Sequence, residues 1–423
     1  MSDPCIAALV VGGGPAGLFL SILLAGELRQ AGLEASSARV VLLEKGPRPG
    51  RKLLASGGGQ CNITNSGKVA EFLTRYGDKG RFLRKALYSF SNDDLVAWLS
   101  ARGLDTVTEA SGKVFPASRR ATEVLGLLLG ESSSAGVEIV AASRVSGIVR
   151  DGSGSFEVQA DAVYRSPLVA IATGGFSYPG TGSEGEGYAL AASLGHYIVP
   201  AKPALAAFKA GDFPLADLAG LSFEGRPFSL WRAGKKLRDC SGDLLITHEG
   251  LSGPGILDAS RYMEEGDLVT VSFCGLSREA CREAFASALT GAPRALVRNL
   301  LGDLGLPRRM ADRFCALAEV DPATTASTLR REAREALVTQ ASSFPVTVTS
   351  LGSWDRAMVT AGGVDTSEVE PATMESKLVP GLYFAGELLD VDGDTGGFNL
   401  QAAFSTAATA ARAMAARIKA TQT

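Results

Sequence analysis

The stretch IAALVVGGGPAG, residues 6–17, decides the fold of this chain. Its first six residues form a continuous apolar run, which is typical of a strand buried on both faces of a parallel sheet. Three of its glycines then match the pattern G-x-G-x-x-G. Residues 15–30 are rich in Leu and Ala and predict a helix, and ARVVLLEK at residues 38–45 predicts a second buried strand. Together these segments predict a βαβ unit.

Each glycine of the motif has a role in binding a dinucleotide. Gly12 permits the tight turn, Gly14 lets a pyrophosphate approach the backbone, and Gly17 lets the helix pack closely on the strand. The N-terminus of the helix presents free N–H groups to the phosphates. Glu44 ends the second strand, where its carboxylate can accept hydrogen bonds from ribose hydroxyls. It follows Gly17 by 27 residues, beyond the usual ~20, which indicates a surface insertion around residues 31–39.

A second match to the pattern, GTGSEG at residues 180–185, is interpreted differently. The residues FSYP separate it from the preceding strand, and Glu184 and Glu186 would repel a pyrophosphate. We interpret this segment as a loop over an active site. Consequently the sequence shows no independent NAD(P)-binding domain.

Two further segments favour FAD over a nicotinamide dinucleotide alone. After Glu44, the side chains of Arg51 and Lys52 can counter the pyrophosphate charge, and glycines 57–59 let an isoalloxazine ring lie against bare backbone. The segment AIATGG then ends a strand in small residues, as a close approach of sheet and cofactor requires, so Thr173 and Gly174 are predicted cofactor contacts.

A third segment, FAGELLDVDGDTGGFNLQ at residues 384–401, points the same way. It combines a strand, an acidic loop and a Gly-Gly step into a long helix. The N-terminal amides of that helix can face the flavin pyrimidine edge, where their partial positive charge would stabilise the anion formed on reduction. An NAD-only dehydrogenase explains neither this segment nor AIATGG.

The length of 423 residues predicts two or three domains. The sequence pattern changes near residue 200 and again near 345, which predicts a FAD-binding domain interrupted by an insert. The predicted parts are 1–200 for the first half of the FAD-binding domain, 201–274 for an inserted β-rich domain of short strands, 275–344 for a helical insert and 345–423 for the second half. Further predicted helices cover residues 92–102, 122–135 and 399–419. Pro293 and Pro307 are predicted to lie at helix starts.

Composition limits the classes of partner. With 42 basic and 45 acidic residues the formal charge is −3, which gives no general attraction to nucleic acid or to an anionic membrane. Residues 6–25 are apolar enough to resemble an anchor, but their glycines and the lack of a preceding basic residue favour a strand, turn and helix. We expect a cytoplasmic protein. Two histidines and no C-x-x-C pair predict no metal site.

The motifs above, with THEGLSGPGILDAS at residues 247–260 and ATGGFSYPGTGSEGEGYALAASLGH at residues 172–196, resemble a bacterial flavoprotein family. The family includes aminoacetone oxidases and BaiN-like (YhiN-like) bile-acid reductases. The resemblance implies an α/β, glutathione-reductase-like Rossmann FAD fold with an inserted β-barrel-like and helical module. It places FAD contacts on Gly12, Gly14, Ala16, Gly17, Glu44, Lys45, Lys52, Gly57, Cys61, Asn62, Gly386, Glu387, Asp390, Gly397, Phe398, Asn399 and Leu400.

Two positions depart from that family. An arginine is expected where Gln60 stands and a threonine where Glu184 stands. Both positions are expected to border the reactive face of the flavin. The changes remove one positive charge and add one negative charge, which disfavours an anionic substrate.

Candidates for the chemistry are few. Cys61 would need a resolving cysteine or a basic neighbour to act as a nucleophile, so we interpret it as a small residue beside the flavin. His248, Tyr178 and Asp390 are the candidate acids, bases or substrate contacts. His196 is interpreted as a helix C-terminal cap. In a flavoenzyme the cofactor carries most of the chemistry, so the lack of a triad does not argue against an enzyme.

The sequence therefore predicts a FAD-dependent oxidoreductase that acts on a small organic molecule. Amine oxidation and reduction of an enone-type C=C bond both stay open, as do NAD(P)H as a transient co-substrate and the oligomeric state. We expect no nucleic-acid partner and no membrane partner. The alternative from another class is a flavoprotein that acts as an RNA-modification factor.

Overall fold

The chain forms two compact units. The first combines the described residues up to Ala204 with those from Trp354 onward, and the second comprises Leu205–Ser353. Part of the predicted insertion, residues 34–37, lies outside the described residues. The computed structural model describes residues 6–33, 38–152 and 154–422.

Helices and strands are numbered along the chain. The α-helices of the described residues are α1 Pro15–Gln30, α2 Arg51–Ala55, α3 Val69–Thr74, α4 Gly80–Ser89, α5 Asn92–Ser100, α6 Ala121–Ser134, α7 Glu186–Ser193, α8 Pro254–Ser260, α9 Arg278–Gly291, α10 Val297–Asp303, α11 Arg308–Leu317, α12 Arg331–Ser342 and α13 Phe398–Gln422. The strands are β1 Ile6–Val11, β2 Arg39–Leu43, β3 Thr64–Asn65, β4 Thr106–Thr108, β5 Lys113–Pro116, β6 Glu138–Val140, β7 Gly147–Arg150, β8 Phe156–Gln159, β9 Val163–Ser166, β10 Val169–Ile171, β11 Ile198–Ala204, β12 Phe208–Lys209, β13 Ser222–Arg232, β14 Lys235–Ile246, β15 Gly250–Ser252, β16 Leu268–Val271, β17 Phe344–Thr347, β18 Ser350–Leu351, β19 Val359–Val364 and β20 Leu382–Phe384.

A five-stranded parallel sheet is the centre of the first unit. Its strand order is β20-β10-β1-β2-β6. Every residue of β1 is buried, as the continuous apolar run predicts for a strand covered on both faces. Val11 lies opposite both Leu43 and Ile171, and Ile171 lies opposite Phe384. This register brings the carboxyl ends of four strands to one edge of the sheet.

The helices α1 and α13 pack against each other in the first unit. Helix α1 begins and ends at the predicted residues. Helix α13 includes the predicted residues 399–419 and extends beyond them at both ends. Its buried face is rich in alanine, including Ala407, Ala408 and Ala411, and small side chains allow two helices to approach closely. The predicted helices at 92–102 and 122–135 correspond to α5 and α6.

Three smaller sheets complete the first unit. The strands β7, β8 and β9 form an antiparallel meander. The strands β3, β5 and β4 form a second small sheet, and β11 pairs with β19. The Gly-rich segment leads into β3, so this small sheet fixes the position of the end of that segment.

The second unit contains a seven-stranded antiparallel sheet of order β17-β16-β13-β14-β15-β12-β18 and the helices α8 to α12. Sheet and helices share one hydrophobic core, in which the rings of Phe273, Phe314 and Phe344 contact one another. The β-rich and helical segments are therefore parts of one compact body.

Some details of the second unit differ from the sequence predictions. The strands β13 and β14 have 11 and 12 residues and form a long hairpin, where short strands were predicted. Pro307 precedes α11 as predicted, but the prediction for Pro293 was wrong. Helix α10 starts later, at Val297 with Leu296 as its N-cap, and Pro293 lies in the connection after α9.

No helix within the described part of the chain is both long enough and apolar enough to cross a membrane. The apolar residues 6–25 form the strand β1, the glycine turn and the first turns of α1.

Candidate functional site

The candidate site lies at the carboxyl edge of the parallel sheet. Backbone hydrogen bonds lock the strand ends together: the Gly12 N–H donates to the Leu43 carbonyl at 2.8 Å, and the Ala172 N–H donates to the Val11 carbonyl at 2.8 Å. In open parallel sheets ligands bind at this edge. The residues that follow the four converging strands include Gly12, Glu44, Thr173 and Gly386.

The glycine loop after β1 has the geometry that its motif predicts. Gly12 has a φ of +106°, and a Cβ there would lie 2.7 Å from the Ala172 carbonyl oxygen. A Cβ on Gly17 would lie 1.9 Å from the Gly12 carbonyl oxygen, so α1 and the turn are in contact. Gly14 has no atom within 4 Å of its Cβ position. The first turn of α1, which has no side-chain cap, therefore faces open space.

Glu44 is held in place by two backbone amides. Its Oε2 accepts a hydrogen bond from the Gly13 N–H at 2.8 Å, and its Oε1 accepts one from the Gly46 N–H at 2.6 Å. A carboxylate has about four acceptor sites. Two remain for other donors, and ribose hydroxyls are suitable ones.

A cavity open to solvent lies beside this carboxylate. Its lining includes Gly12, Glu44, Lys45, Arg144 and Thr173. The Thr173 hydroxyl oxygen is buried and accepts or donates no hydrogen bond among the described residues. The hydroxyl lies against the backbone of α7, because a Cβ on Gly187 would be 2.0 Å from it.

The second G-x-G-x-x-G loop lies at the rim of the same cavity and leads into α7. The Lys45 ammonium contacts the carboxylates of Glu184, at 3.1 Å, and Glu186. The Arg144 guanidinium contacts the same two carboxylates at 3.2 Å and 3.0 Å. The hydrogen bond from Lys45 lowers the pKa of Glu184. The acidic residues of this loop are therefore neutralised by cations that line the cavity.

The Gly-rich segment between α2 and β3 belongs to the same unit. Gly57, Gly58 and Gly59 have φ values of 56°, 64° and 87°, a region that side-chain-bearing residues rarely adopt. With its amide oxygen oriented toward the Gly397 N–H, 3.0 Å away, the Asn62 side chain also donates to the carbonyls of Thr64 and Val114. In this orientation Asn62 connects the Gly-rich segment to the start of α13 by hydrogen bonds.

Cys61 is fully buried within that segment. Burial raises the pKa of its thiol to about 11. Since the thiolate is the nucleophile, this environment argues against a nucleophilic role and supports the interpretation of Cys61 as a small packed residue.

Arg119 contacts the side chain of Gln60, and the sequence analysis did not find it. Its guanidinium donates to the Gln60 Oε1 at 3.0 Å, pairs with Glu109 at 2.8 Å and lies over the Phe115 ring at 4.6 Å. Gln60, where the resemblance implies an arginine, thus lies beside a guanidinium from a segment that is distant in the sequence. No local pattern connects residues 60 and 119.

The Glu387 carboxylate is the centre of a polar cluster. It is ion-paired with Lys52, and its Oε1 accepts from the Ser177 hydroxyl at 2.9 Å and from the Thr360 N–H at 2.8 Å. Lys52 also donates to the Ser177 hydroxyl. Lys52 and Glu387 were predicted cofactor contacts, and the structure brings them together. Ser177 and Thr360 were missed, because serine and threonine are too common to stand out in a sequence.

The start of α13 is held by contacts within the protein. A Cβ on Gly397 would lie 2.4 Å from the Thr64 carbonyl oxygen, so the backbone passes very close to β3. The Asn399 side chain accepts from the Gly393 N–H at 2.7 Å and donates to its carbonyl at 2.9 Å. The ring of Phe398 packs edge-on against Phe72 at 4.9 Å. These contacts fix the direction of the first turn of α13.

The remaining predicted cofactor contacts lie in the same unit. A Cβ on Gly386 would lie 2.8 Å from the Cβ of Ala16, which joins the end of β20 to the first turn of α1. Gly174 follows β10 with a φ of +76°. Leu400 is partly buried against the core. Asp390 is buried and ion-paired with Lys79.

The candidate catalytic residues are less closely grouped. Tyr178 is half-buried in the first unit with a φ of +56°, an uncommon value for a tyrosine. His248 lies in the second unit, exposed in the turn between β14 and β15. Their roles stay predictions.

His196 has a structural environment that differs from the prediction. Its backbone N–H closes the end of α7 by donating to the Ala191 carbonyl, but its ring does not cap the helix. The two ring nitrogens bond to Glu368 at 2.9 Å and Ser376 at 2.8 Å. Burial lowers the pKa of the imidazole. The ring is therefore a buried structural group.

The site fits FAD on three observations. Open space lies before the N-terminus of α1 at Gly14, a cavity open to solvent lies beside the Glu44 carboxylate, and that carboxylate keeps acceptor sites free after its two backbone contacts. Glu44 can hold a ribose, and α1 can hold the pyrophosphate.

Known proteins resemble this chain along almost its whole length. A model of the HI0933-like protein Rossmann domain matches residues 6–413. The 3-dehydro-bile acid delta(4,6)-reductase of Clostridium scindens is 33% identical and aligns with 96% of this chain and 98% of its own length. A ribosomal RNA dihydrouridine synthase of Escherichia coli is also 33% identical, over 95% of this chain and 96% of that protein.

A solved structure shows the same fold at low identity. The 3-ketosteroid-delta4-(5alpha)-dehydrogenase of Rhodococcus jostii has a TM-score of 0.51 at 16% identity, covering 98% of this chain and 97% of that chain. Together the family match, the relatives and this structure confirm the predicted α/β Rossmann FAD fold with its inserted module. They also confirm a FAD-dependent oxidoreductase.

Proposed function

This chain belongs to the HI0933-like family, and we propose that it reduces a C=C bond conjugated to a carbonyl group in a small organic molecule, with NAD(P)H as the electron donor. The observation that carries the proposal is the near full-length similarity to a delta(4,6)-reductase, at 33% identity over 96% of the chain. The described site supports it, because its features are those of a dinucleotide cradle and not of a nucleophile–base pair.

The first unit would bind and orient the cofactor. Glu44 would accept the ribose hydroxyls, and the first turn of α1 beyond Gly14 would face the pyrophosphate. Bound FAD supplies hydride transfer between the donor and the substrate. The start of α13 contributes partial positive charge, and its direction is fixed by Asn399 and Gly397.

The reaction also needs a proton. A conjugated C=C bond is reduced when a hydride adds to the carbon β to the carbonyl and a proton adds to the α carbon. We assign the proton to the Tyr178 hydroxyl, because this residue is half-buried and its backbone has the strained conformation that recurs at functional sites. Asp390 is less suited, since its carboxylate is buried in an ion pair with Lys79.

The first experiment separates a reductase from an oxidase. The purified yellow protein is mixed anaerobically with NADH and with NADPH, and the flavin absorbance is followed. Bleaching by one nucleotide, followed by reoxidation with a steroid-like dienone, is the expected result. A protein that is not bleached by either nucleotide, but is bleached by an amine and reoxidised by oxygen, would contradict the proposal.

A variant tests the proton donor separately. Tyr178→Phe should keep its bleaching by NAD(P)H and lose at least about tenfold in the rate of reoxidation by the dienone. The matched control is Tyr197→Phe, because Tyr197 is 59% exposed outside the described site. Equal reoxidation rates in Tyr178→Phe and the wild type would remove the tyrosine from the mechanism and leave the reductase proposal standing.

A second candidate substrate follows from the relative named as a ribosomal RNA dihydrouridine synthase. The uracil ring also has a C=C bond conjugated to a carbonyl, so the same chemistry would convert uridine to dihydrouridine. The test is incubation of the reduced protein with ribosomal RNA, digestion to nucleosides and mass spectrometry. A gain of two hydrogens on uridine would favour RNA, and turnover of the dienone without that gain would favour the small molecule.

A further inference from the structure

The imidazole of His196 bonds to two residues that lie far from it in the sequence. His196 follows α7, and its Nδ1 lies 2.9 Å from the Glu368 Oε2, whereas its Nε2 lies 2.8 Å from the Ser376 Oγ. The side chain of His196 is fully buried. Glu368 and Ser376 both belong to the connection between β19 and β20, so one ring holds two points of that connection.

The hydrogen bonds of Ser376 fix the protonation state of this ring. The Ser376 Oγ accepts from the N–H of Leu378 at 3.1 Å and from the N–H of Val379 at 2.8 Å. A serine hydroxyl has two acceptor lone pairs and one O–H donor. Because both lone pairs have donors, the O–H must donate to the His196 Nε2, which therefore carries no proton. The ring is neutral, and its proton lies on Nδ1.

Glu368 fits the same assignment from the other side of the ring. Its Oε2 accepts the Nδ1–H of His196 and also the N–H of Tyr197 at 3.0 Å. The imidazole packs edge-on against the Phe384 ring of β20, with 4.8 Å between the centroids. Of the side chains that these bonds and this ring contact bring to the imidazole, only the Glu368 carboxylate is charged. Burial lowers the pKa of the imidazole, although Glu368 opposes the shift.

The other charged side chains of the connection bond elsewhere. Their partners are the Ser367 backbone for Asp365 and Lys377, Lys85 for Glu370 and Arg417 for Glu375. Residues 189–195, which lead from α7 into His196, contain no titratable side chain. The protonation of the ring is therefore set by its burial and by its bonds to Glu368 and Ser376.

The part of the connection that Ser376 anchors covers the edge of the parallel sheet. The strand β20 is the last strand of that sheet. The Phe384 N–H donates to the Met374 carbonyl at 3.0 Å, and the Ser376 N–H donates to the Leu382 carbonyl at 2.8 Å. Residues 374–376 thus lie along β20 as an added antiparallel segment.

A proton on the His196 Nε2 would break this anchor. The Nε2–H and the Ser376 O–H would be two donors that face each other, and the hydroxyl has no free lone pair with which to accept. A buried donor without an acceptor is unfavourable, so the charged ring would favour release of the segment.

We propose that His196 is a pH-sensitive lock on the edge of the parallel sheet, which holds residues 374–379 against β20 while the ring is neutral and releases them when it is protonated. The stability that the lock contributes is complete above the pKa of an unfolded histidine, about 6.5. It is lost as the pH falls toward the lowered pKa of the folded state. Because β20 leads into Glu387, release would also weaken the binding of FAD. This second effect rests on the proposed cofactor site, whereas the lock itself does not.

Hydrogen exchange of the flavin-loaded protein tests the lock. The released ring titrates at about 6.5, so linkage gives an opening constant about tenfold larger at about pH 5.5 than at about pH 7.5 if the held ring stays neutral. Protection factors, which correct for the pH dependence of intrinsic exchange, should therefore fall about tenfold for residues 374–379. The seven-stranded sheet of the second unit serves as the internal reference and should keep its protection. Equal protection of residues 374–379 at the two pH values would overturn the proposal.

Two serine variants separate the lock from general loosening. In Ser376→Ala the protection of residues 374–379 should be low already at about pH 7.5 and should change less with pH. Ser367→Ala is the matched control, because Ser367 is exposed in the same connection, and it should behave as the wild type does. The same pH response in Ser376→Ala and in Ser367→Ala would reject the role of the Ser376 hydroxyl.

The ring itself gives a readout that needs no unfolding. The chain has two histidines, so His248→Gln leaves His196 as the source of imidazole signals in a ¹⁵N spectrum. At neutral pH these signals should show a proton on Nδ1 and none on Nε2. A proton on Nε2 would contradict the lock. Flavin fluorescence released at about pH 5.5 tests the cofactor effect, and flavin that stays bound while protection falls would remove that effect alone.

Discussion

Two loops of the first unit share the pattern G-x-G-x-x-G but differ in structure. The first, residues 12–17, turns directly from β1 into α1, and Gly17 approaches the Gly12 carbonyl so closely that a Cβ would lie 1.9 Å from it. In the second, residues 180–185, Gly180 has no atom within 4 Å of its Cβ position, and Gly185 packs under the Phe176 ring. The two loops have the same glycine spacing, but only the first brings two of its own backbone positions into contact, at Gly17 and Gly12.

The two loops also differ in charge, and this difference again favours the first loop as the phosphate site. The N-terminus of α1 has no acidic residue in its first turn, so its N–H groups can face an anion. Helix α7 begins with Glu186, and this carboxylate and Glu184 are ion-paired with Lys45 and Arg144. In this protein, the pattern has the features of a phosphate site only in the first loop. There two backbone positions are in contact and the first turn of the helix has no acidic residue.

The largest expected effect comes from adding a methyl group at Gly17. Gly17→Ala forces the helix away from the Gly12 carbonyl, and we expect a loss of about 3 kcal/mol or more in the free energy of unfolding. Chemical denaturation measures it. Gly180→Ala is the control from the second loop, because the Cβ position of Gly180 is open, and it should stay within about 0.5 kcal/mol of the wild type. Equal losses in the two variants would refute the steric contrast.

The next effect separates folding from cofactor binding within the first loop. Gly14 has an extended backbone with a φ of −74°, and its Cβ position is empty. Gly14→Ala should therefore fold as the wild type does, but its methyl group would occupy the space in front of α1. We expect at least about tenfold weaker FAD binding, measured as the flavin-to-protein ratio after dialysis. Full flavin occupancy would show that the pyrophosphate does not approach Gly14.

A smaller effect is expected at the carboxylate that follows β2. In Glu44→Gln the side-chain NH2 group would face the backbone N–H of Gly13 or of Gly46, so that two donors would meet. The variant would also lose one acceptor for the ribose. We expect FAD affinity to fall about tenfold, which corresponds to about 1.4 kcal/mol. Fluorescence titration of the apoprotein with FAD measures it. Glu138→Gln is the control, because Glu138 is the first residue of β6 and pairs with Arg39, and it should bind FAD normally.

The sequence allowed the first loop to be predicted because strand, turn and helix are contiguous there. The bounds of α1 and the roles of Gly12 and Gly17 follow from local sterics. By contrast, the contact of Arg119 with Gln60 joins segments 59 residues apart, and no local pattern records it.

The polar cluster around Glu387 was missed for the same reason. Ser177 reaches Glu387 across 210 residues of chain, and a serine has no sequence signature. Contacts made by tertiary packing therefore had to come from the structure.

The smallest predicted effect concerns the charges of the second loop. Removing the carboxylates with Glu184→Gln and Glu186→Gln would release Lys45 and Arg144 toward the cavity that contains Glu44, and FAD phosphates would then meet uncompensated cations. Exposed ion pairs are weak and are screened by salt. We therefore expect FAD to bind about twofold to threefold more tightly at low ionic strength, with the gain lost at about 1 M salt.

The two single variants sharpen this prediction. The side chain of Glu186 is 24% exposed and that of Glu184 is 49% exposed, so screening should reduce the effect of Glu184→Gln more than that of Glu186→Gln. FAD titrations at two salt concentrations measure both. If the second loop bound the pyrophosphate itself, through its own N–H groups as the first loop does, the gain would survive in high salt. A salt-dependent gain that is larger for Glu186 is the result that keeps the two loops distinct.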